Sequence, residues 1–322
     1  MEISVVVPTY NRREIVTRTL RSLFAQELAP ARFEIIVVVD GSTDGTAEAL
    51  RGMRPACIFR VIEQENRGLA GARNTGYHAS QADLVLFLDD DMVCDPHLVE
   101  EHIAGHENRE NTVVYGAIFL SNDSPNTLAA ECFNREIGAL HLTQDRTPGS
   151  EWLRTECIFG NTSIPRQILE RLGGFDEAFR MREDLELGIR LFDAGAQAHY
   201  AGTAIARQYY GKTASDLVKD AEAFAISDAM LADKHPDVII QGHVAWLRRS
   251  KGSRRVWSRI AGASQALGDF VLAPLCNVGE AFPRASWLRN GGVRALQWRR
   301  RIHWLHKLEE LGAIRPGSNR KS

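Results

Sequence analysis

Three consecutive aspartates, Asp89, Asp90 and Asp91, follow directly on the apolar run "LVLFL", so three like charges stand where a buried strand would end. Carboxylates packed within a few ångströms raise one another's pKa unless a cation compensates. Hard divalent ions do so through oxygen ligands: magnesium and manganese take one or two carboxylates and leave the other positions to water and phosphate. In an extended segment alternate side chains share a side, so Asp89 and Asp91 can face one ion while Asp90 points elsewhere. Read alone, the triplet is equally a solvated acidic turn.

Asp40 ends the run "EIIVVVD" ahead of "GSTDGT". A carboxylate there can accept hydrogen bonds from a nucleobase or a ribose hydroxyl, or cap the turn that follows. Arg73 stands in "NRGLAGARNTG", Asn66 to Gly76, where glycines and alanines permit close approach of backbones. Its planar fork suits phosphate, although a surface ion pair is the commoner use of an arginine. This stretch lacks the Gly-Lys-Ser/Thr ending of a Walker loop and the glycine spacing of a dinucleotide fingerprint, which disfavours a P-loop enzyme and a classical dehydrogenase. Glu183 and Asp184 open the helical pattern "EDLELGIRLFDAGA". Neighbouring helical residues point about 100° apart, so one carboxylate can act as a general base in a cleft while donors hold the other. Complementing the helix dipole is the simpler role for both. His102 and His106 are spaced i, i+4 among Glu100, Glu101 and Glu107 and read as a solvated helix face rather than a metal pair, and His199 reads as packed in a strand.

The elements that must position these groups follow a βαβ rhythm. "ISVVVP" and "EIIVVVD" lack polar alternation and are strands buried on both faces. Between them "RREIVTRTLRSLFAQ" carries Ile15, Val16, Leu20, Leu23 and Phe24 at helical spacing. "CIFRVIE" is a third strand, "GLAGARNTGYHAS" a small-residue helix and "LVLFLD" a fourth strand. Beyond Pro96 the pattern predicts a helix "PHLVEEHIAGHE", a strand "TVVYGAIFL", a helix through Ala130, a helix "RQILERLGGF" with a Gly-Gly stop, and a long helix from Thr213 to Lys234. Parallel sheets place ligand sites at the carboxyl ends of their strands, and here those ends hold "PTYN", "DGSTDGT" and "DDD". Three polar clusters would converge on one rim.

At 322 residues, 44% hydrophobic and 25% charged, the chain is a globular protein without signs of disorder. "MEISVVVPTYNR" lacks the pattern of a cleaved leader, and no segment approaches roughly 18 uninterrupted apolar residues. Cys57, Cys94, Cys132, Cys157 and Cys276 are scattered singly, against a disulfide framework or a zinc site and in keeping with a cytoplasmic protein. The net charge of −2 conceals a basic tail, "RRSKGSRRVWSR", "RNGGVRALQWRRR", then Arg315, Arg320 and Lys321. That tail could meet anionic lipid at the inner face of a membrane, an acidic partner or the acidic body of its own chain, or be a solvated face. Trp246, Trp257, Trp287, Trp298 and Trp304 among the arginines suit an interfacial helix, or core and dimer contacts.

Taken in order, "SVVVPTYNR", "EIIVVVDGSTDGT", "NRGLAGARNTG", "LVLFLDDD", "GNTSIPRQILERLGGFDE" and "REDLELGIRLFDAGA" resemble the inverting glycosyltransferases of family 2, over about residues 3 to 210. The resemblance implies a GT-A fold: a Rossmann-like, mostly parallel central sheet flanked by helices. Residues 1–211 would form that domain, with a nucleotide-binding half over about 1–95 and an acceptor half over about 96–211. Residues 212–322 would be a helical, basic C-terminal extension. Pro8, Thr9, Tyr10, Asn11, Asp40, Asn66, Gly68, Arg73, Asp89 and Asp90 would bind the donor nucleotide, Asp40 on the base. Asp89 and Asp91 match the DxD pair, Asp91 the direct ligand of a Mg2+ or Mn2+ ion on the diphosphate. Asp184, beside Glu183, matches the catalytic base. Gly173, Gly174, Phe175 and Asp176 match the acceptor-side "GGFDE". The slot where many members carry a metal-ligating histidine holds Gln208, and a neutral amide is a poorer ligand than imidazole.

The implied activity is metal-dependent, inverting transfer of a sugar from a nucleotide-diphospho-sugar, a UDP-sugar being the expected donor. The acceptor is a sugar hydroxyl, lipid-linked or on a small molecule, and no nucleic acid partner is expected. Gln208 motivates the alternative of a nucleotide-sugar binding protein impaired in catalysis. Sugar-nucleotidyl transfer would want a glycine-rich basic loop after the first strand, which "PTYNRREIV" does not supply.

Overall fold

A computed structural model of the chain describes residues 1–143, 159–236 and 265–313. They fall into two units, Met1–Asp123 with Ile137–Tyr209, and Ser124–Glu136 with the chain from Tyr210 onward.

The first unit opens with the expected alternation: β1 (Ile3–Thr9), α1 (Arg13–Phe24), β2 (Phe33–Asp40), α2 (Thr46–Arg51), β3 (Ile58–Gln64), α3 (Gly68–Ala79) and β4 (Leu84–Leu88). Every residue of β1 and β2 is buried, as two-faced burial requires. This extends even to Ser4 and Glu34, which satisfy each other through a 2.7 Å hydrogen bond donated by the serine hydroxyl. β5 (Met92–Cys94), α4 (Leu98–His106), β6 (Thr112–Leu120), β7 (Asn161–Pro165), α6 (Arg166–Leu172), α7 (Glu183–Asp193) and β8 (Gln197–Gln208) complete an eight-stranded sheet of order β3-β2-β1-β4-β7-β6-β8-β5. The pairings among β3, β2, β1 and β4 are parallel, as is that of β6 with β8. β7 runs antiparallel to β4 and β6, and β5 antiparallel to β8. The sheet is therefore mixed, with its parallel block on the side of Asp40 and the aspartate triplet. α6 stops at Gly173, φ 77°, where Gly173 and Gly174 donate to the carbonyls of Glu170 and Leu169, the left-handed cap foreseen in the Gly-Gly pair.

His102 and His106 do not form a solvated helix face. His102 is fully buried, its Nδ1 2.9 Å from Ser163 Oγ and its Nε2 2.8 Å from Asn161 Oδ1, and His106 Nε2 lies 2.8 Å from the same serine hydroxyl. The reason is a defect in the sheet. β6 and β8 shift register after Gly116, which faces Ala201 while Ala117 faces Ile205. Asn161 Nδ2 donates to the carbonyls of Ala117 and Ala204 left at that bulge, and the histidines complete the polar group behind it.

Burial holds the His102 imidazole neutral, lowering its pKa to about 4. The fold thus favours the neutral ring, so its contribution is whole above the unfolded value of about 6.5 and is lost as pH falls towards 4. Roughly 2 kcal/mol of this contribution should disappear between pH 7 and pH 5. Urea unfolding of the wild type and of His102→Gln at the two pH values checks this: the difference between their pH responses should be about that size, since the carboxyls that titrate in the same window act on both.

In the second unit, α8 (Ala214–Lys234) begins with a capping box between Thr213 and Asp216. It packs with the start of α5 (Leu128–Thr143), with α9 (Gln265–Ala281) and with α10 (Ser286–Glu310) around Leu128, Leu217, Leu272, Val293 and Leu296. Much of the basic character of α10 is turned inward: Arg289 donates to Asn126 and to the Thr127 carbonyl, Arg299 meets Asp269 and Arg300 meets Glu136. Trp304 donates to Asp228, and Trp298 packs against the core. The run "RRSKGSRRVWSR" with Trp246 and Trp257, and Arg315, Arg320 and Lys321, lie outside the described residues, as does Cys157. Cys57, Cys94, Cys132 and Cys276 are buried free thiols. Among the described residues no helix is long and apolar enough to cross a membrane.

Candidate functional site

The carboxyl ends of β1, β2 and β4 are neighbours, so the loops that follow them meet on one rim. Pro8 and Thr9 are the last, buried residues of β1, and Tyr10 beyond them is half exposed. Asn11 takes a left-handed conformation, φ 51°, which asparagine tolerates better than most residues. Its backbone N–H donates to Ser42 Oγ at 2.9 Å, and its Oδ1 accepts from the Thr43 N–H at 2.8 Å, tying the loop after β1 to the loop after β2.

Asp40 is buried and caps the start of α3. Oδ1 accepts from the Arg67 N–H and Gln64 Nε2, Oδ2 accepts from the Gly68 N–H, each at 2.7–2.8 Å, and Asn66 Nδ2 donates to the Asp40 carbonyl. The sequence offers capping of the turn that follows or a nucleobase contact; the bonds run instead to Gln64, Arg67 and Gly68 ahead of α3, and Oδ2 with one bond retains a free lone pair. Gln64, which the sequence reading passed over, presents a buried Oε1 with no hydrogen-bond partner among the described residues. Its place as the last residue of β3, next to Asp40, was the signal available.

Arg73 joins the two acidic groups. Buried and 2% exposed, it donates Nη2 to Asp89 Oδ1 at 2.9 Å and Nη1 to Glu183 Oε1 at 2.8 Å, while its Nε has no partner among the described residues. A surface ion pair is excluded by that burial. Glu183 is buried at the start of α7, and Asp184 beside it is half buried with Oδ1 accepting the Leu185 N–H at 2.7 Å. Loss of water pushes both carboxyls above their ordinary values; repulsion from Asp184 adds to the effect on Glu183, and Arg73 pulls each back.

The triplet lies in a turn after β4 rather than in an extended segment, and Arg12 reaches both Asp90 and Asp91. Asp89 turns to Arg73, and Asp91 accepts from Gln208 Nε2 at 3.0 Å. Asp90 turns away, yet it is the most buried of the three: Oδ2 accepts from Thr9 Oγ1 at 2.7 Å, Oδ1 from Arg12 at 2.8 Å, and its carbonyl from Thr19 Oγ1. It is a structural anchor rather than a spare charge. Arg12 also reaches Asp91 at 3.3 Å, as Arg73 reaches Asp89 at 2.9 Å. Desolvation, with Asp89 and Asp90 close by, raises the Asp91 carboxyl well above its ordinary value despite Arg12 and Gln208.

Asp89 and Asp91 could hold a divalent cation. Both offer hard oxygen, and a cation would offset the loss of water and the repulsion from Asp89 and Asp90 that raise the Asp91 carboxyl. Gly160 permits the arrangement: a Cβ there would stand 2.7 Å from Asp89 Oδ2. Among the described residues no group of three or more His, Cys, Asp or Glu is gathered for a metal, so most of the sphere would come from water and phosphate.

Gly173 to Asp176 lie behind Arg73. Asn74 of α3 brackets Phe175, accepting from its N–H and donating to its carbonyl, and the phenyl ring is buried against Phe87 and Phe159 with the Arg73 guanidinium 5.4 Å from its centroid. Gly174 is buried against Asn74 and Tyr77, and Asp176 caps its own turn through the Ala178 N–H. This turn supports the acidic cluster.

The family model of glycosyl transferase family 2 matches residues 4–173. The validoxylamine A glucosyltransferase of Streptomyces hygroscopicus subsp. limoneus is 33% identical over 236 residues, 65% of this chain and 51% of its own length. The uncharacterized glycosyltransferase YfnE of Bacillus subtilis (strain 168) is 40% identical over 243 residues, 61% of each chain. The chain thus spans about half to three fifths of the length of these relatives. Among solved structures, the mannosyltransferase PcManGT from Pyrobaculum calidifontis, in complex with GDP-Man and Mn2+, superposes with a TM-score of 0.63 at 19% identity, covering 96% of this chain and 87% of its own. S. aureus TarS 1-349 in complex with UDP gives a TM-score of 0.50 at 17% identity, covering 97% and 92%. The mixed sheet, its acidic rim and the match from strand β1 through the Gly-Gly stop of α6 agree: the chain belongs to glycosyl transferase family 2.

Proposed function

We propose that the chain transfers a sugar, with inversion, from a nucleoside-diphospho-sugar to an acceptor hydroxyl with the help of a divalent cation. The observation that carries this reading is the buried Arg73, which holds Asp89 at the end of β4 and Glu183, the neighbour of Asp184, at the start of α7 within one hydrogen-bonded unit. The neighbours solved with GDP-Man and Mn2+ and with UDP support a nucleotide donor.

Residues 1–95 would hold the nucleotide and 96–211 the acceptor. Pro8 to Asn11 would frame the nucleoside, and Asp40 Oδ2 with Gln64 Oε1 would read its base. A uracil N3–H suits an acceptor of this kind, so a UDP-sugar is the expected donor. Asp89 and Asp91 would carry Mg2+ or Mn2+, whose Lewis acidity neutralises the charge growing on the leaving diphosphate. Arg73 aims Asp89 through the hydrogen bond from its Nη2. With Oδ1 of Asp184 taken by the Leu185 N–H, Oδ2 would accept the proton of the attacking hydroxyl, and the raised pKa brings this base closer to neutrality.

Incubation with UDP-, GDP- and dTDP-sugars should give nucleotide release with a UDP-sugar that chelation of the metal abolishes. Tight nucleotide binding with no release to any acceptor would favour the binding-protein alternative, which the Gln208 amide on Asp91 motivates.

A further inference from the structure

The outer face of α9 has a composition that runs against its exposure. The helix buries small and medium residues, Gly268, Leu272, Cys276 and Gly279, with Gly279 in close contact with Gly292 of α10. Its larger apolar side chains point out: Leu267, Phe270, Val271, Leu275 and Val278 are all exposed, Phe270 at 79%. At helical spacing these five fall within an arc of about 140°. The turn into α10 continues the surface, with Phe282 and Trp287 exposed, Trp287 at 75%, and the exposed Arg284 between them. A contiguous apolar surface rimmed by polar residues marks an interaction site.

Charge selects the occupant. Residues 241–322 hold 16 Lys and Arg against 4 Asp and Glu, a net +12, whereas residues 1–240 hold 23 against 37, a net −14. These acids are engaged: Asp269 by Arg299 and His303, Glu280 by the Leu128 N–H, and Glu310 by Lys307. A second copy would bring one strongly basic region against another. A bilayer surface containing anionic lipid brings the opposite charge together with an apolar layer a few ångströms below it. Aromatic and aliphatic side chains at the headgroup boundary, with cations among the phosphates, are the chemistry of a helix lying in the membrane plane. The described helices are too short or too polar to cross instead.

We propose that the outer face of α9, with Phe282, Arg284 and Trp287 at its end, docks this chain on an anionic bilayer surface. The proposal is independent of the transfer reaction. Its test uses the full chain with vesicles of phosphatidylcholine alone, and of phosphatidylcholine with about one third phosphatidylglycerol, sedimented at low and high salt. The wild type should pellet with the anionic vesicles at low salt and be released by high salt. Phe270→Ser combined with Trp287→Ser should weaken binding at least about tenfold, since each removes a large apolar group from the boundary. Arg284→Glu should weaken it by a similar factor. All three residues are exposed, so thermal unfolding should be unchanged, which separates lost docking from lost folding. No pelleting of the wild type at low salt, equal binding to neutral vesicles, or variants that bind like the wild type would each overturn the proposal. So would a concentration-dependent dimer dissolved by Phe270→Ser, which would give the face to a second copy.

Discussion

Asp184→Asn should yield a folded protein that binds nucleotide normally and transfers sugar about 10²- to 10⁴-fold more slowly, the range a positioned general base supplies. The substitution is nearly isosteric and can keep the Leu185 N–H bond to Oδ1, so what it removes is the proton-accepting oxygen. Stability should move the other way. The Asp184 carboxyl is raised by loss of water, so its ionised form at neutral pH works against folding, and a neutral amide relieves both that cost and its repulsion of Glu183. Thermal unfolding should therefore hold steady or rise while turnover collapses. The pH profile adds a second readout: the wild-type rate should fall on the acid side at a pH above the ordinary carboxylate range, and the residual rate of the variant should lack that limb. Unchanged turnover would place the base elsewhere.

The features legible in the sequence were those set by local pattern. Apolar runs ending in "PTYN", "DGSTDGT" and "DDD" defined adjacent strand ends, and the small residues of "GLAGARNTG" foretold a helix lying close on the sheet. Features fixed by distant partners were misread or missed. The flanking glutamates suggested a solvated face for His102 and His106, but the partners that bury them, Asn161 and Ser163, lie some 60 residues away and are recruited by a bulge between two further strands. Arg73 read as a candidate phosphate ligand or a surface pair because nothing in its neighbourhood announces Glu183, 110 residues later. Arg12 and Gln64 escaped notice for the same reason, each acquiring its role from a carboxylate on a neighbouring strand. In α9 nothing in the sequence announces that the larger apolar side chains face outward, since periodicity marks a stripe without saying which side faces the core.

Asp91→Asn and Asp90→Ala should fail in different ways. Extended-strand alternation alone makes Asp90 the dispensable member of the triplet, and its hydrogen bonds revise that. Asp90 fastens Thr9 at the end of β1, Arg12 in the following loop and Thr19 in α1 to the end of β4. Thr19 bonds the Asp90 carbonyl and survives truncation of the side chain, but Thr9 loses a buried acceptor and the 40% exposed Arg12 a screened one, a loss of roughly 1 kcal/mol. Asp90→Ala should thus lower the denaturation midpoint and, by freeing the loop around Pro8 to Asn11, weaken nucleotide binding with the metal requirement retained. Asp91→Asn removes a carboxylate whose ionised form is already disfavoured by desolvation and by two neighbouring aspartates, so stability should be unchanged or improved. Transfer should drop on the order of 10³-fold, the equivalent of about 4 kcal/mol of charge stabilisation at the leaving diphosphate. Manganese titration of nucleotide release, run beside thermal melts of both variants, separates the two. An Asp91→Asn protein that still needs the metal at wild-type concentration would move the ligand role to Asp89 alone, whereas loss of the metal response with an intact melt identifies Asp91 as the residue through which the cation acts.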